Sequence, residues 1–536
     1  MVSKLTMLLL NDDVALMIVD NMSSEESKNA LCALSQTSRR FRDLCVPVLR
    51  STARLDSVRC PSRISHQIPE WMRPYLRELT LRDICGDRTS RYREYPWSRD
   101  PIMCSTYEGD AIAALLPSIP HLRKVVIISS HDPPPCVSFV YGISWAVVKA
   151  IISARGLQEL DLDGHFFCLN TFAPDPDFTP APLTTFRCTI PHRRLVPVTR
   201  AFSTQTEALA FVLERLRHSL EHLSLTIDIA PLDMIRDADW PRLRSLHLAG
   251  DILPTTHSLP WVSILRHMPR LRVLSLRAAV PDDIDHLTTH QIVWPPDTLL
   301  DTLPWPELED LEVTYPDPED RLFSHLPSTL RSLSIGRFAF FAHHNWALDE
   351  WEQQYSRPQD VPMPRASEVL QIARKCNTPN LRTLKLEYLA DGDASEDELL
   401  ACIPAAFPRL ESLRLCRYDT QDDAAAAGTA LRVAQALSPL SHLRTFQVHL
   451  DAVPDPELAR ARRGCYYAKE SIAAYVRELK ELADVMAQTL GPSVEAIEMF
   501  APPSRCVPFD VVRSAAGDDG SPGTAAHAEF GAEYTC

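Results

Sequence analysis

The amino-acid sequence predicts an α/β chain in which a short three-helix module precedes a long solenoid of strand-and-helix repeats. Three observations lead there. A phrase of three aliphatic residues, spaced three and then two apart, recurs from Leu76 to Met499. Stretches with helical periodicity separate its copies. At 536 residues the chain is too long for one ordinary core, whereas a solenoid grows without a central one. The expected divisions are 1–55 for the helical module, 56–500 for the solenoid and 501–536 for a disordered tail rich in Ala, Gly, Pro and Asp.

The phrase reads Leu76-Leu79-Leu81, Leu122-Val125-Ile127, Leu157-Leu160-Leu162, Leu220-Leu223-Leu225, Leu243-Leu246-Leu248 and Leu271-Leu274-Leu276. It continues as Leu308-Leu311-Val313, Leu330-Leu333-Ile335, Leu381-Leu384-Leu386, Leu410-Leu413-Leu415 and Leu443-Phe446-Val448. Looser copies are Leu183-Phe186-Cys188 and Val494-Ile497-Met499. The last two apolar positions alternate, as a strand with one buried face requires. Pro120, Pro241, Pro269, Pro306, Pro379 and Pro408 each stand two residues before the first Leu, where a residue without an N–H belongs at the edge of a strand.

Helical stretches fall at Trp145–Ile152, followed by Gly156 as a C-cap, and at Glu207–Leu216, Trp261–Met268, Glu368–Lys375 and Ile472–Leu490. Copies recur at intervals from 22 residues (Leu308 to Leu330) to 51 residues (Leu330 to Leu381). Strand and helix at such intervals resemble a leucine-rich-repeat solenoid, a curved parallel sheet with helices on its convex side. The Asn expected three residues after the last strand Leu is missing; Asp251 stands there in the copy Leu243-Leu246-Leu248. Long excursions interrupt the array near Arg88–Met103, His165–Pro182, Ala342–Ala366 and Pro454–Tyr467.

The helical module begins with Asp12 or Asp13 as a cap and Val14, Met17, Ile18 and Met22 as an apolar face. A second helix carries Ala30, Leu31 and Leu34. Ser38 caps a third, with Phe41, Leu44 and Cys45 inward, and Pro47 ends or bends it. Three short helices bury little area, so the module calls for a partner or a neighbouring domain.

The residues Leu10-Asn11-Asp12-Asp13-Val14, then Leu31-Cys32-Ala33-Leu34-Ser35-Gln36-Thr37-Ser38-Arg39-Arg40-Phe41-Arg42-Asp43-Leu44, then Pro47-Val48-Leu49 resemble an F-box in order and spacing. The departure is Asn11, where the family has Pro. With the repeats behind it, the chain resembles the F-box/leucine-rich-repeat family, its irregular fungal-type members in particular. The resemblance implies a non-catalytic, substrate-recognition subunit of a cullin–RING (Skp-cullin-F-box) ubiquitin ligase. Leu10, Asn11, Asp13, Val14, Met17 and Leu34 would meet a Skp-type adaptor, and the repeats would hold a protein target. The alternative is a repeat scaffold whose F-box-like helices only cap the solenoid.

In each strand the residues between the aliphatic positions face the other side of the sheet, the concave side of a solenoid. Candidate target contacts are Glu159, Asp161, Asp163, His222, His247, Arg277, Asp310, Glu312, Lys385 and Arg414. The acidic stretches near Asp161 and Asp310 suggest a basic protein segment as ligand.

Composition excludes several other functions. A net charge of −15 opposes nucleic acid and anionic membrane. The 14 cysteines include no Cys-x-x-Cys pair, which removes the strongest zinc signal and suits buried thiols in a reducing, cytoplasmic or nuclear setting. Leu5–Leu10 is too short for a signal-peptide core, and no apolar run is long enough for a membrane span. The sequence holds no Walker-type phosphate loop, Gly-x-Ser-x-Gly elbow or His-Glu-x-x-His motif, and His343-His344 is an isolated pair. No cofactor or metal is expected.

Overall fold

The computed structural model describes residues 11–22, 27–56, 67–83, 102–103, 109–129, 141–163, 166–167, 172–189, 203–251, 260–279, 290–298, 300–336, 363–418, 426–450, 469–501, 505–513 and 526–530. The chain divides into two compact units: Met1–Leu225 with Ile229–Pro231, and Thr226–Asp228 with Leu232–Cys536. The helical module and the first repeats share the first unit.

Three helices open that unit: α1 (Asp12–Asn21), α2 (Lys28–Ser35) and α3 (Arg39–Leu49). Ser38 caps α3, its Oγ accepting the N–H of Phe41 at 3.2 Å. Val19, Leu31 and Cys45 form the module's small core, with Met22, Leu34, Val48 and Leu49 packed around it. Pro47 lies inside α3, which runs on to Leu49, so it does not end the helix. The α1 face differs from the expected one. Ala15 and Val19 point inward while Val14 and Met17 are exposed. The six consecutive apolar residues Val14–Val19 wrap most of the helix, so periodicity alone selects no stripe there.

Helix α3 leads directly into a strand that the repeat phrase does not mark, β1 (Thr52–Asp56). It pairs in parallel with β2 (Glu78–Asp83), and β3 (Lys124–Ser129), β4 (Glu159–Asp163), β5 (Thr185–Thr189) and β6 (His222–Thr226) follow in order. Helices α4 (Gly109–Leu115), α5 (Trp145–Ile152) and α6 (Ser203–Leu216) lie between the strands in sequence. Ser144 caps α5, and Gly156 takes a left-handed conformation with φ +87° in the turn that follows.

The second unit repeats the pattern: β7 (Ser245–Asp251), β8 (Val273–Ala279), β9 (Asp310–Thr314), β10 (Ser332–Gly336), β11 (Thr383–Leu389), β12 (Ser412–Tyr418), β13 (Thr445–His449) and β14 (Ala496–Ala501). Each pairs in parallel with the next. Its helices are α7 (Leu232–Asp237), α8 (Trp261–Ile264), α9 (Ala366–Lys375), α10 (Asp393–Ala406), α11 (Ala426–Leu437) and α12 (Lys469–Thr489). The stretch expected as a helix over Trp261–Met268 is helical only to Ile264, because Met268-Pro269 already opens the turn into the next strand.

Every aliphatic position of every phrase, the looser copies included, is at most 3% exposed. The architecture is a solenoid-like parallel sheet whose aliphatic face is the core. The prolines have a more specific place than a strand edge. In the copies at Ile119, Met268, Trp305, Thr378 and Phe407, the carbonyl just before Pro accepts the N–H of the first Leu at 3.0–3.3 Å. Proline is thus the second residue of a β-turn that enters the strand, where its fixed φ fits.

Beyond that turn a carbonyl ladder joins the copies. The carbonyls of Ser51, Arg77, Arg123, Gln158 and Thr184 in the first unit each accept two consecutive N–H groups from the next copy at 2.7–3.0 Å. In the second unit the carbonyls of Arg244, Arg272, Glu309, Arg331, Arg382, Glu411 and Arg444 do the same at 2.8–3.2 Å. The Asn ladder is absent at the other strand ends, and in one copy Thr314 substitutes, its Oγ1 donating to the carbonyls of Leu276 and Ala278.

The expectation of a disordered tail over 501–536 is corrected in two stretches. β15 (Arg505–Arg513) pairs antiparallel with β14, and β16 (Ala526–Phe530) pairs antiparallel with β15. Val507 and Phe509 are fully buried, so the small polar residues around them masked a strand with an apolar face. Leu10, the His343-His344 pair and the Pro454–Tyr467 excursion lie outside the described residues, as do most of Arg88–Met103 and Ala342–Ala366.

Candidate functional site: a helical docking face and a paired sheet face

The first candidate surface is on α1. Val14 is 43% exposed, Leu16 37% and Met17 65%. Met17 lies opposite Ala15 and Val19 on the helix, with Val14 and Leu16 to either side of it. Large apolar side chains in this position lose hydration free energy at roughly 25 cal/mol per Å² until something covers them. Asn11 is exposed just before α1, and its carbonyl accepts the N–H of Ala15 at 2.9 Å. Asp13 lies in the first turn of α1. Leu34 differs from these residues. It is half-buried against the module's own core, so most of its apolar surface is already used. Leu16 was not among the residues expected at this surface, although it sits in the same apolar run.

A second exposed aromatic feature lies beside α3. Trp71 is 58% exposed and Tyr75 38%, both on the turn of 3-10 helix Glu70–Tyr75. The Arg50 guanidinium stands 5.6 Å from the centre of the Trp71 ring.

The candidate target-facing residues lie at alternate strand positions, between the buried aliphatic ones. In the first unit, side chains from neighbouring strands meet the acidic residues of this face. Arg187 meets Asp161 at 3.5 Å, Lys124 meets Glu78 at 3.4 Å, and Thr189 Oγ1 donates to Asp163 at 3.3 Å. Burial pushes the Asp161 carboxyl above its ordinary range, and Arg187 opposes that rise. Glu159 is half-buried in the same sheet, and His222 is exposed on β6. The acidic column near Asp161 therefore has cations beside it from the same fold, which the sequence did not reveal because they come from neighbouring copies.

In the second unit, Glu312 accepts from Ser275 Oγ at 2.5 Å and meets Arg277 Nε at 3.3 Å. His247 is within 2.9 Å of Ser245 Oγ. Lys385 is exposed and registers beside Arg414, which registers in turn beside Gln447. Gln447 donates to Glu498 at 2.8 Å. Asp310 is half-buried two residues from Glu312. Each unit thus carries its candidate residues on one face of its own sheet.

Buried thiols accord with packing roles. Burial raises Cys188 and Cys376 to about 12. Among the described residues no group of three or more His, Cys, Asp or Glu side chains is arranged to hold a metal ion, and no helix is long and apolar enough to cross a membrane.

Comparison with known proteins gives one family match. Residues 7–48 match the model of the F-box domain. No curated protein matches the chain. Among solved structures, a chain from the crystal structure of the Rad7 and Elc1 complex in yeast is similar at a TM-score of 0.35 and 11% identity, over 93% of this chain and 90% of that chain. The matched stretch coincides with the packed helices α1, α2 and α3 and with the exposed Val14–Met17 face, and on those grounds residues 7–48 of this chain are an F-box domain.

Proposed function

We propose that this protein is a non-catalytic substrate receptor of a Skp-cullin-F-box ubiquitin ligase. Its helical module docks on a Skp-type adaptor, and its repeat array holds a protein target near the ubiquitin-charged enzyme. The observation that carries the reading is the exposed apolar face of Val14, Leu16 and Met17 within the F-box domain. A module that merely capped a solenoid would turn that face inward. Here the inward face is Ala15 and Val19, leaving the larger side chains for a partner.

The receptor contributes proximity rather than chemistry. Holding a target beside a reactive partner raises its effective concentration without any new bond-making group. Asn11, Asp13, Val14 and Met17 are the proposed adaptor contacts, with Leu10 before them in sequence. Leu34 contributes by supporting α2. Glu159, Asp161, Asp163, His222, His247, Arg277, Asp310, Glu312, Lys385 and Arg414 are the proposed target-facing residues. Their cross-strand pairing favours a target of mixed charge over the purely basic segment that the acidic residues suggest when read alone.

The test is co-purification of a Skp-type adaptor with the full chain and with a Val14→Asp, Met17→Asp double variant. Adaptor retained by the wild type and lost from a variant with unchanged circular dichroism supports the reading. An adaptor that binds neither protein leaves a repeat scaffold without a ligase role.

A further inference from the structure

The two copies of Pro-Arg-Leu-Arg, at Pro241–Arg244 and Pro269–Arg272, occupy equivalent turns at the N-terminal ends of β7 and β8. In each copy the Leu is fully buried and both flanking arginines are exposed. The backbone aligns the two copies. The carbonyl of Arg244 accepts the N–H groups of Arg272 at 2.8 Å and Val273 at 2.9 Å. Arg242, Arg244, Arg270 and Arg272 therefore form a quartet on two neighbouring rungs, about 4.8 Å apart.

The quartet is unusual in its setting. The chain has 55 basic and 70 acidic residues, yet this rim gathers cations, all of them arginine. A guanidinium presents a planar fork that matches a carboxylate with two parallel hydrogen bonds, which a lysine cannot do. Arg272 is already held in place by Glu307 Oε2 at 3.1 Å and Glu309 Oε1 at 3.7 Å. The same rim continues with Arg331 and Arg382, adjacent in the ladder, and Arg382 meets Glu411 at 3.4 Å.

We propose that this arginine rim of the second unit is a docking surface for an acidic protein segment, rich in Asp and Glu. The alternation argues for carboxylates on a peptide over a continuous polyphosphate. Rungs 244 and 272 are basic, rung 309 is acidic, rungs 331 and 382 are basic, and rung 411 is acidic. A nucleic-acid backbone crossing that series carries a charge at every step and would meet Glu309 and Glu411. A peptide can place its carboxylates at the two arginine pairs, three rungs or about 14 Å apart, and leave the acidic rung uncontacted. The inference is independent of adaptor binding and concerns a different surface.

The experiment uses the full chain and a fluorescein-labelled peptide with two Glu-Glu pairs separated by a four-residue Gly-Ser spacer, with fluorescence anisotropy at about 50 and about 300 mM NaCl. The expected result is binding at low salt that weakens at high salt and falls at least about tenfold in an Arg242→Glu, Arg270→Glu variant. An Arg374→Glu, Arg477→Glu variant on the exposed faces of α9 and α12, the charge-matched control, should change affinity less than about twofold. Circular dichroism checks that each variant is folded. No binding at low salt, equal binding by the Arg242→Glu, Arg270→Glu variant, or an equal loss in the control overturns the proposal. Tighter binding of single-stranded oligothymidylate through the same arginines overturns it in favour of nucleic acid.

Discussion

Glu396 and Arg417 meet at 2.6 Å in the interior of the second unit, the carboxylate fully buried and the guanidinium 4% exposed. The same carboxylate also accepts from Tyr388 OH at 3.0 Å and from Arg432 at 2.7 Å. Helix α10 is thereby tied to β11, β12 and α11 through one side chain. Burial, and then the Glu396 charge, push the Tyr388 hydroxyl well above its ordinary range, so it stays a donor.

Removing one member of such a group leaves a buried charge unpaired. Glu396→Ala should therefore destabilise the chain by about 3–5 kcal/mol. Urea unfolding measures it. A Glu396→Met, Arg417→Met double variant should recover much of the loss, because it removes both charges and keeps volume. Equal stability of the single variant and the wild type would show the node to be solvated.

Asp320 gives a pH prediction. It is 1% exposed and accepts backbone N–H groups from Val293 at 2.6 Å, Trp294 at 3.0 Å and Leu322 at 2.9 Å. Burial pushes its carboxyl up to about 6 from 3.8, against the pull of those three donors. The folded state thus holds the proton to higher pH than the unfolded state. The contribution of this group is full below about pH 4 and is lost as pH rises to about 6. Asp320→Asn should be less stable at neutral pH by about 1–3 kcal/mol, since its amide cannot accept all three bonds. It should also lack this group's decline between those pH values. Urea midpoints across that range compare the two slopes, and identical slopes would remove Asp320 as the source.

Gly109 opens α4 directly against α5. A Cβ at this position would stand 2.6 Å from Ala146 Cβ and 2.9 Å from the Ala146 carbonyl carbon. Backbone cannot yield as a flexible side chain does. Gly109→Ala should cost about 1–3 kcal/mol through overpacking, outweighing the helix propensity it gains. Gly428→Ala, in α11, meets nothing within 4 Å and is the paired control, expected to be neutral or slightly stabilising. Thermal unfolding of the two variants separates packing from propensity. A Gly109→Ala variant as stable as wild type would mean that α4 and α5 move apart at little cost.

The repeat array was legible because its signal is local. Leu274 and Leu276 announce a strand through alternation alone, and the burial of every copy follows. The cross-strand chemistry was not legible. Arg187 lies 26 residues from Asp161, and Glu312 lies 37 residues from Ser275, yet register makes each pair neighbours. Variable repeat lengths hide that register in the sequence. The strand at Thr52–Asp56 was missed because it has Leu55 in place of a full phrase, and it forms because β2 supplies the ladder. The node at Glu396 was invisible for the same reason as the sheet pairs, since an acidic residue in a helix reads as solvated until Arg417 and Arg432 are placed beside it.

The helical module separates two residues that hydropathy treats alike. Val14 is 43% exposed and Val19 1% exposed, five residues apart on α1. Val19 packs in one cluster with Leu31 and Cys45, so Val19→Asp places an unpaired carboxylate among them and should unfold the module. Val14→Asp places the same group in water and should change stability by less than about 0.5 kcal/mol. A single apolar stripe cannot produce that contrast, but an inner and an outer face can. Hydrogen exchange across residues 11–49, compared between the two variants, reads the difference directly. Loss of protection in both would mean that Val14 is part of the core, and the exposed face on which adaptor docking rests would be gone. Loss in Val19→Asp alone leaves Val14, Leu16 and Met17 as apolar surface that the fold itself does not need.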